Sequence, residues 1–428
     1  MSHTATDQAG SGGLTATEHR LGNGLRLVFS EDHLTPVAAV CLWYDVGSRY
    51  EVKGLTGLAH LFEHLMFQGS AQVKGNGHFE LVQAAGGSLN GTTSFERTNY
   101  FEIMPAHQVE LALWLEADRM GSLLAALDQE SLDNQRAVVK NERRQSYDNV
   151  PYGTAFERIA ALVYPDGHPY HHTPIGSMAD LDAATLEDAR AFFRANYAPN
   201  NAVLAVVGDI DPQQTIAWAE KYFGSIPPYE GKVPPRDGTL PDIIGRELRQ
   251  EIEEEVPARA LMAAYRLPRD GTRECDAAEL ALTVLGDGMA SRLYNRLVRR
   301  DRTAISADFG LLRLTGAPSL GWLDVKAAGG AGLGVERDVQ ADLHRHHLLP
   351  RPVTAQDGQP AGQGAAPGHG ERPGLRPPGA GLRVEVHGHG RVGHCPAPSR
   401  SPSSSRWPSS PAVAAGPPAA PSPRVTGS

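Results

Sequence analysis

The segment AHLFEHLMFQ, residues 59–68, restricts this sequence most, because it places polar side chains inside an apolar run. His60, Glu63 and His64 fall three and four positions apart, a spacing that puts them on one face of an α-helix. Burying such groups costs several kcal/mol unless they are paired or bind a metal. Two neutral imidazoles suit Zn²⁺. The segment therefore predicts a zinc-binding helix, with a pair of half-buried structural histidines as the alternative.

A catalytic zinc site needs a third protein ligand and an open fourth position. Within VVKNERRQ, Glu142 is a candidate for this ligand on a later helix, although a helical Glu is more often solvated or paired with Arg. Glu63 stands beside the two imidazoles, within reach of a bound water.

The pattern of apolar residues predicts an α+β fold with two related domains and a Pro/Gly-rich tail. Residues 1–13 are predicted to be a flexible N-terminus, 14–225 the zinc-binding catalytic domain, and the proline-rich segment 226–243 a linker. Residues 244–328 begin a second domain whose order of elements echoes the first, which suggests an internal repeat. This second domain is incomplete, because its pattern stops at the tail over 329–428.

The local predictions are most specific around the candidate metal site. A helix is expected over 55–67 and another over 77–85. The segment GGSLNGTTSFERTNYFEIM, residues 86–104, is rich in Thr, Phe and Tyr and predicts a strand or hairpin. Residues 128–149 are predicted to form one long helix, which carries Glu142.

The tail differs from the rest of the chain in composition. Residues 351–428 contain 15 Pro and 13 Gly and no Ile, Phe, Tyr, Met, Asn or Lys. They cannot bury enough apolar surface to offset chain entropy and are predicted to be disordered. A frameshift in GC-rich DNA would produce such a change, a hypothesis that translation of the other two frames tests. The histidine-rich runs at 343–348 and 386–395 are interpreted as incidental, because no scaffold holds them.

Charge and composition exclude several classes of protein. The formal net charge is −9, which argues against nucleic acid as a partner. No run of 18 or more apolar residues occurs, so no membrane-spanning helix is expected, and the N-terminus lacks the features of a secretory signal. Cys41, Cys275 and Cys395 are odd in number and far apart, which fits neither a disulfide framework nor a metal motif. These features favour a cytoplasmic location.

Five segments make the chain resemble the pitrilysin/insulinase family of zinc metallopeptidases, the inverzincins, which includes the mitochondrial processing peptidase. They occur in family order within about residues 15–328: GLAHLFEHLMFQGS, GGSLNGTTSFERTNYF, VVKNERRQSYDN, HPYHHTPIGS and NAVLAVVGDID. His-x-x-Glu-His is the inverted zinc motif of this family. In the family the third ligand is a Glu slightly under 80 residues after the second His, and Glu142 lies 78 positions after His64.

The resemblance implies one Zn²⁺ per chain, held by His60, His64 and Glu142, and a metalloendopeptidase reaction in which Glu63 is the general base. The substrates would be extended peptides or unfolded polypeptides.

The resemblance also implies where a peptide would bind. The segment SLNGTTSFE resembles the family's edge strand beside the metal, where an extended peptide adds by main-chain hydrogen bonds. Asn90 and Gly91 would then lie near the scissile bond. The alternative is a core strand that ends at an Asn-Gly turn. HPYHHTP corresponds to a loop near the cleft, so His168, His171 and His172 are left out of the metal site.

Three positions depart from the family pattern. Gln135 stands where many members have an acidic residue two helical turns before the third ligand, and it could still hydrogen-bond within the site. Val298 and Ile305 stand where the family's second domain has an Arg and a Tyr that hold the substrate. Shorter members divide these roles between two chains. We therefore predict a heterodimer in which this chain is the zinc-bearing subunit and its partner supplies the Arg/Tyr pair.

Two other hypotheses remain open. The chain could be a catalytically silent or damaged subunit, because the second domain is incomplete and the Arg/Tyr pair is missing. A non-peptidase zinc hydrolase is the third interpretation, which the five ordered segments disfavour.

Overall fold

The computed structural model describes residues 15–231, 238–240, 248–329 and 382–387, and for the last of these ranges only the backbone. The described residues form two β-sheets with helices packed against them. This arrangement confirms the predicted α+β class with two related domains. None of the helices in these ranges is long and apolar enough to cross a membrane.

The first sheet is built from six described strands. They are β1 (Thr17–Arg20), β2 (Arg26–Glu31), β3 (Val37–Tyr44), β4 (Ser88–Thr93), β5 (Thr98–Pro105) and β6 (Ala202–Gly208). Their order in the sheet is β1-β2-β6-β3-β5-β4, so β4 lies at an edge. In β3, alternate side chains from Ala38 to Tyr44 are buried, as the two-residue period of a strand requires when one face meets the core.

Eight described helices accompany this sheet. They are α1 (Leu58–Leu65), α2 (Gly77–Ala84), α3 (Val109–Ala126), α4 (Gln129–Arg143), α5 (Ala155–Val163), α6 (Met178–Ala183), α7 (Leu186–Asn196) and α8 (Pro212–Phe223). α4 begins at a capping box in which Asp128 and Ser131 each accept the other's backbone N–H. It continues into a π-type turn, Arg144–Asp148, so the helix predicted over 128–149 is present.

The second sheet has five described strands and one described α-helix. They are β7 (Arg249–Glu253), β8 (Ala260–Leu267), α9 (Arg273–Gly286), β9 (Ala304–Leu312), β10 (Ser319–Ala327) and β11 (Leu382–His387). Their order in the sheet is β7-β11-β8-β10-β9. α9 and the π-type turn Tyr294–Arg300 cover one face, where Leu282 and Leu297 pack against β8, β9 and β10.

The two sheets repeat one topology. In the first, β6 pairs parallel with β2 and antiparallel with β3, which is followed in the sheet by β5 and β4. In the second, β11 pairs parallel with β7 and antiparallel with β8, which is followed by β10 and β9. The internal repeat suggested by the order of predicted elements is therefore present in the strand pairing.

The other face of the second sheet is covered by a helix from the first part of the chain. Ile159 and Val163 of α5 pack with Met262 of β8 and Leu320 of β10 in one apolar cluster. Phe95, from the turn between β4 and β5, belongs to the same cluster. α5 thus packs on the second sheet, in a cluster distinct from the apolar core of the first sheet.

One stretch of the tail departs from the prediction that residues 329–428 lack regular structure. Leu382–His387, LRVEVH, forms β11 between β7 and β8. Its alternating apolar residues satisfy the two-residue period of a strand, a signal that the Pro/Gly-rich surroundings obscured. Residues 330–381 and 388–428 of the tail, including the run at 343–348, lie outside the described residues, as do residues 1–14.

Candidate metal centre

Helix α1 carries three polar side chains into the protein interior. Every residue of Leu58–Leu65 is buried, and His60, Glu63 and His64 are only 1%, 2% and 5% exposed. α4 packs against α1 and places Glu142 beside the two imidazoles. The two helices that were predicted to carry the site therefore meet.

Glu142 approaches both histidines with the same oxygen. Its Oε2 lies 3.2 Å from His64 Nε2 and 3.6 Å from His60 Nε2. The two imidazole centroids are 4.9 Å apart with an interplanar angle of 81°. One potential ligand atom from each of the three residues lies within 4.8 Å of the others, and the described ranges contain no second group of His, Cys, Asp or Glu with this geometry.

The cluster contains buried polar atoms that lack hydrogen-bond partners among the described residues. They are both ring nitrogens of His60, Nδ1 of His64 and both carboxylate oxygens of Glu142. Buried polar atoms nearly always have a partner, so this concentration indicates a site for a ligand. Two imidazoles and one carboxylate form a donor set of catalytic zinc, which leaves a fourth position for water or substrate. The residues present therefore fit Zn²⁺.

The protonation states of the ligands suit a cation. Burial, together with the neighbouring His64, lowers the pKa of His60 to about 4, so this imidazole is neutral at neutral pH. Burial opposes ionisation of Glu142, but the adjacent His64 and His60 outweigh it and lower the pKa of this carboxyl. A neutral imidazole and an ionised carboxylate are the forms that bind a metal.

Glu63 has the opposite environment. Burial raises its pKa, and this effect exceeds the lowering by the Thr93 hydroxyl and by the charges of His64 and Arg97. Its Oε2 is buried without a partner in the described residues. A carboxylate whose pKa is shifted towards neutral is suited to accept and then return a proton.

Strand β4 passes directly beside this carboxylate. A Cβ at Gly91 would lie 3.2 Å from Glu63 Cγ and 3.1 Å from Phe67 Cε2 and Tyr100 Cδ1, so the close approach depends on glycine. Asn90 and Gly91 lie within the strand, and the Oδ1 of Asn90 accepts the N–H of Gly91 at 2.9 Å. The alternative of an Asn-Gly turn is therefore wrong, because the chain instead turns over residues 94–97.

The remaining predicted positions lie farther along the two domains. Gln135 is buried on α4, seven positions before Glu142. Val298 lies in the π-type turn and packs against the second domain's core, and Ile305 lies on edge strand β9 with 56% of its surface exposed. Their roles remain predictions.

The three histidines of HPYHHTP form contacts away from the metal cluster. His168 Nε2 lies 3.0 Å from the carbonyl oxygen of Gly238, and His171 Nδ1 lies 2.8 Å from that of Tyr164. His172 Nε2 lies 2.9 Å from a Glu51 carboxylate oxygen. All three were left out of the ligand set on the resemblance, and none belongs to the group of ligand atoms described above.

Sequence reasoning missed two residues that act on Glu63 and one that acts on α1. Thr93 and Arg97 both influence the Glu63 carboxylate. Thr93 follows Gly91 by two positions, so the strand period places both on one face and would have indicated it. Glu51 is 5% exposed and bonds to the start of α1.

Two family models match the chain. The model described as "Insulinase (Peptidase family M16)" matches residues 26–168, which contain His60, Glu63, His64 and Glu142. The model described as "Peptidase M16 inactive domain" matches residues 183–325. The second match begins before β6, although β6 lies between β2 and β3 in the first sheet. The boundary between the two family models therefore lies upstream of the last strand of that sheet.

Curated relatives are zinc proteases and processing peptidases. The zinc protease PqqE of Helicobacter pylori is 34% identical over 67% of this chain and 64% of its own length. The mitochondrial-processing peptidase subunit beta of Blastocladiella emersonii is 28% identical over 49% of this chain and 44% of its own length. The chain thus spans less than two thirds of either relative.

Solved structures show the same fold. A protease from Helicobacter pylori has a TM-score of 0.73 and 31% identity, covering 77% of this chain and 79% of that one. Pitrilysin has a TM-score of 0.63 at 18% identity, covering 80% of this chain and 36% of that one, which supports the fold alone.

Proposed function

Because the chain belongs to the M16 peptidase family, also called the insulinase or pitrilysin family, we propose that it is a zinc-dependent metalloendopeptidase. Its substrates would be extended peptides or unfolded polypeptides. The observation that carries this proposal is the meeting of His60, His64 and Glu142 around unsatisfied buried atoms, next to the buried carboxylate of Glu63. The zinc proteases among its relatives add support.

His60, His64 and Glu142 would hold the zinc ion. Zinc, when bound there, would supply Lewis-acid chemistry that activates water and polarises a carbonyl. The neutral state of His60 and the ionised state of Glu142 prepare the ligands at neutral pH.

Glu63 would act as the general base and acid. Its carboxylate accepts a proton from the attacking water and returns it to the leaving amine. Burial keeps bulk water away from the Glu63 carboxylate. The raised pKa of Glu63 brings the free energies of accepting the proton and of returning it closer together. Thr93 and Arg97 limit that increase in the pKa of Glu63.

Edge strand β4 would bind the substrate. Its outer side has no neighbouring strand in the described sheet, so an extended peptide can pair with it through main-chain hydrogen bonds. Gly91 would bring that peptide close to Glu63. This mode of binding reads backbone more than side chains, so weak sequence selectivity is expected.

A second subunit would complete the active site. Val298 and Ile305 stand where the family resemblance places a substrate-holding Arg and Tyr, and neither side chain can donate a hydrogen bond. We infer a heterodimer in which the partner supplies that pair. A catalytically silent subunit is the second candidate function, favoured by the same two apolar residues.

The test measures zinc per chain and peptide cleavage on the purified full-length protein. We expect about one zinc per chain from the three-ligand site, and cleavage of an unfolded polypeptide, which a chelator abolishes, once a subunit carrying the Arg/Tyr pair is added. Glu63→Gln should keep the zinc and lose cleavage. A folded chain without zinc, or a Glu63→Gln variant that still cleaves, would contradict the proposal. Bound zinc without cleavage, even with an added Arg/Tyr-bearing subunit, would favour the silent subunit.

A further inference from the structure

The start of α1 lacks an ordinary cap. Its N-cap residue is Gly57, which has φ of 95° and no side chain, so the first backbone N–H groups of the helix need another acceptor. Glu51 supplies it from six residues upstream. Its Oε2 accepts the N–H of Gly57 at 2.8 Å, and its Oε1 accepts the N–H of Ala59 at 2.7 Å. Both carboxylate oxygens of Glu51 are therefore held by backbone N–H groups, the second of which belongs to the residue directly before the ligand His60.

Glu51 is held in turn by the loop of residues 172–176. His172 Nε2 lies 2.9 Å from Glu51 Oε2, and the Glu51 side chain is fully buried. A Cβ at Gly57 would lie 3.0 Å from the carbonyl oxygen of Ile175, so the loop packs tightly on the turn before α1. The position of the helix start is thus set by this loop.

The same loop also bonds to the helix that carries the third ligand. Arg143, the neighbour of Glu142, donates from Nη1 to the carbonyl oxygen of Gly176 at 2.7 Å. It also pairs with Glu157, whose Oε1 accepts the Thr173 hydroxyl at 3.0 Å. One loop therefore contacts the start of α1 and the end of α4, the two helices that supply the ligands.

We propose that Glu51 and His172 are positioning residues for the metal site, which hold α1 in register with α4 through the loop of residues 172–176. The inference rests on the proposed zinc site. Neither residue is a ligand. A bidentate carboxylate fixes both the axial position and the direction of α1, and each ligand distance between His60, His64 and Glu142 depends on that placement.

The test is the zinc dissociation constant of the full-length protein, measured by competition with a chromophoric chelator at neutral pH. Glu51→Gln replaces one acceptor oxygen with an N–H₂ group that faces a backbone N–H. We expect zinc affinity to fall about tenfold or more. His172→Ala, at a half-buried position, should weaken zinc in the same direction and by less, and it serves if the Glu51 variant does not fold.

The matched control is Asp211→Ala. Asp211 caps α8 by accepting the N–H of Gln214 at 2.7 Å, and α8 carries no residue of the site. This variant should lose stability like any cap deletion but keep its zinc affinity. Unchanged affinity in Glu51→Gln or, where that variant does not fold, in His172→Ala, would overturn the inference and leave the zinc site standing. Equal losses in Asp211→Ala and in the Glu51 or His172 variants would also overturn it. A folded wild-type chain that binds no zinc would overturn the proposed function as well.

Discussion

Glu96 accepts a hydrogen bond from the backbone N–H of Thr315 at 2.8 Å, which joins the turn of the β4–β5 hairpin to the turn of the β9–β10 hairpin. The same Oε1 accepts the Thr315 hydroxyl at 2.8 Å and the N–H of Gly316 at 3.1 Å. Arg49 and Tyr170 donate to it from the first domain. The hairpin that carries Gly91 is therefore anchored to the second sheet through Glu96, five residues after Gly91.

Removing this anchor should destabilise the whole described fold. In Glu96→Ala, several donors at a half-buried site lose a charged acceptor, so we expect the free energy of unfolding to fall by about 2–3 kcal/mol. Urea denaturation followed by circular dichroism measures it. Glu187→Ala is the control. Glu187 pairs with Arg194 at the surface, and loss of this pair should not measurably change the free energy of unfolding. Equal stability of the wild type and Glu96→Ala would show that the two sheets do not depend on this contact.

Glu142→Gln should separate metal binding from folding. The amide keeps the shape of the side chain but is a poor zinc ligand, so we expect zinc affinity to fall more than about tenfold while the far-ultraviolet spectrum is retained. Equilibrium dialysis against a zinc buffer gives the affinity. Glu130→Gln, in the exposed first turn of the same helix, is the matched control. If both variants bind zinc like the wild type, Glu142 is not a ligand.

His78 should make the protein sensitive to acid. It is buried on α2, and neither ring nitrogen has a hydrogen-bond partner among the described residues. Burial and the charge of Arg119 lower the pKa of His78 to about 3, against an ordinary value of 6.5. Between these values the unfolded chain binds the extra proton, so the free energy of unfolding falls as pH decreases, by about 1.4 kcal/mol per pH unit from this residue.

His78→Leu should reduce that pH slope by the same amount. Urea unfolding at neutral pH and at about pH 5 measures the slope in each variant. His107→Leu, at an exposed position, is the control and should leave the slope unchanged. A slope in His78→Leu equal to that of the wild type would mean that His78 is protonated in the folded state.

Local pattern was sufficient for the elements nearest the site. α1 and the β4–β5 hairpin follow from helical spacing in AHLFEHLMFQ and from the Thr- and Phe-rich strands after it. β7 was missed because RQEIE contains a single apolar residue and shows no alternation. The packing of α5 on the second sheet was missed because periodicity shows which face is apolar but not what covers it.

Long-range contacts explain what the sequence left open in the site. Glu142 joined the two histidines through family resemblance, because nothing local distinguishes it from a solvated helical Glu. Glu51 meets His172 across 121 residues, and Glu96 meets Thr315 across 219. No spacing rule reaches that far. Glu51 did leave one local sign, since the N-cap residue of the helix that it caps is Gly57, which has no side chain to cap it.

Gly91→Val should impair cleavage without removing zinc. The added methyl groups would meet Phe67, Tyr100 and Glu63, which already lie 3.1–3.2 Å from an ideal Cβ, so either β4 or the base must move. A small displacement of Glu63 relative to the substrate lowers turnover, and we expect turnover to fall about tenfold or more. Steady-state cleavage of a peptide and zinc per chain are measured together. Ser88→Val, at an exposed position of the same strand, tests whether valine in β4 is harmful in itself. Wild-type turnover in Gly91→Val would mean that β4 does not guide a peptide to Glu63.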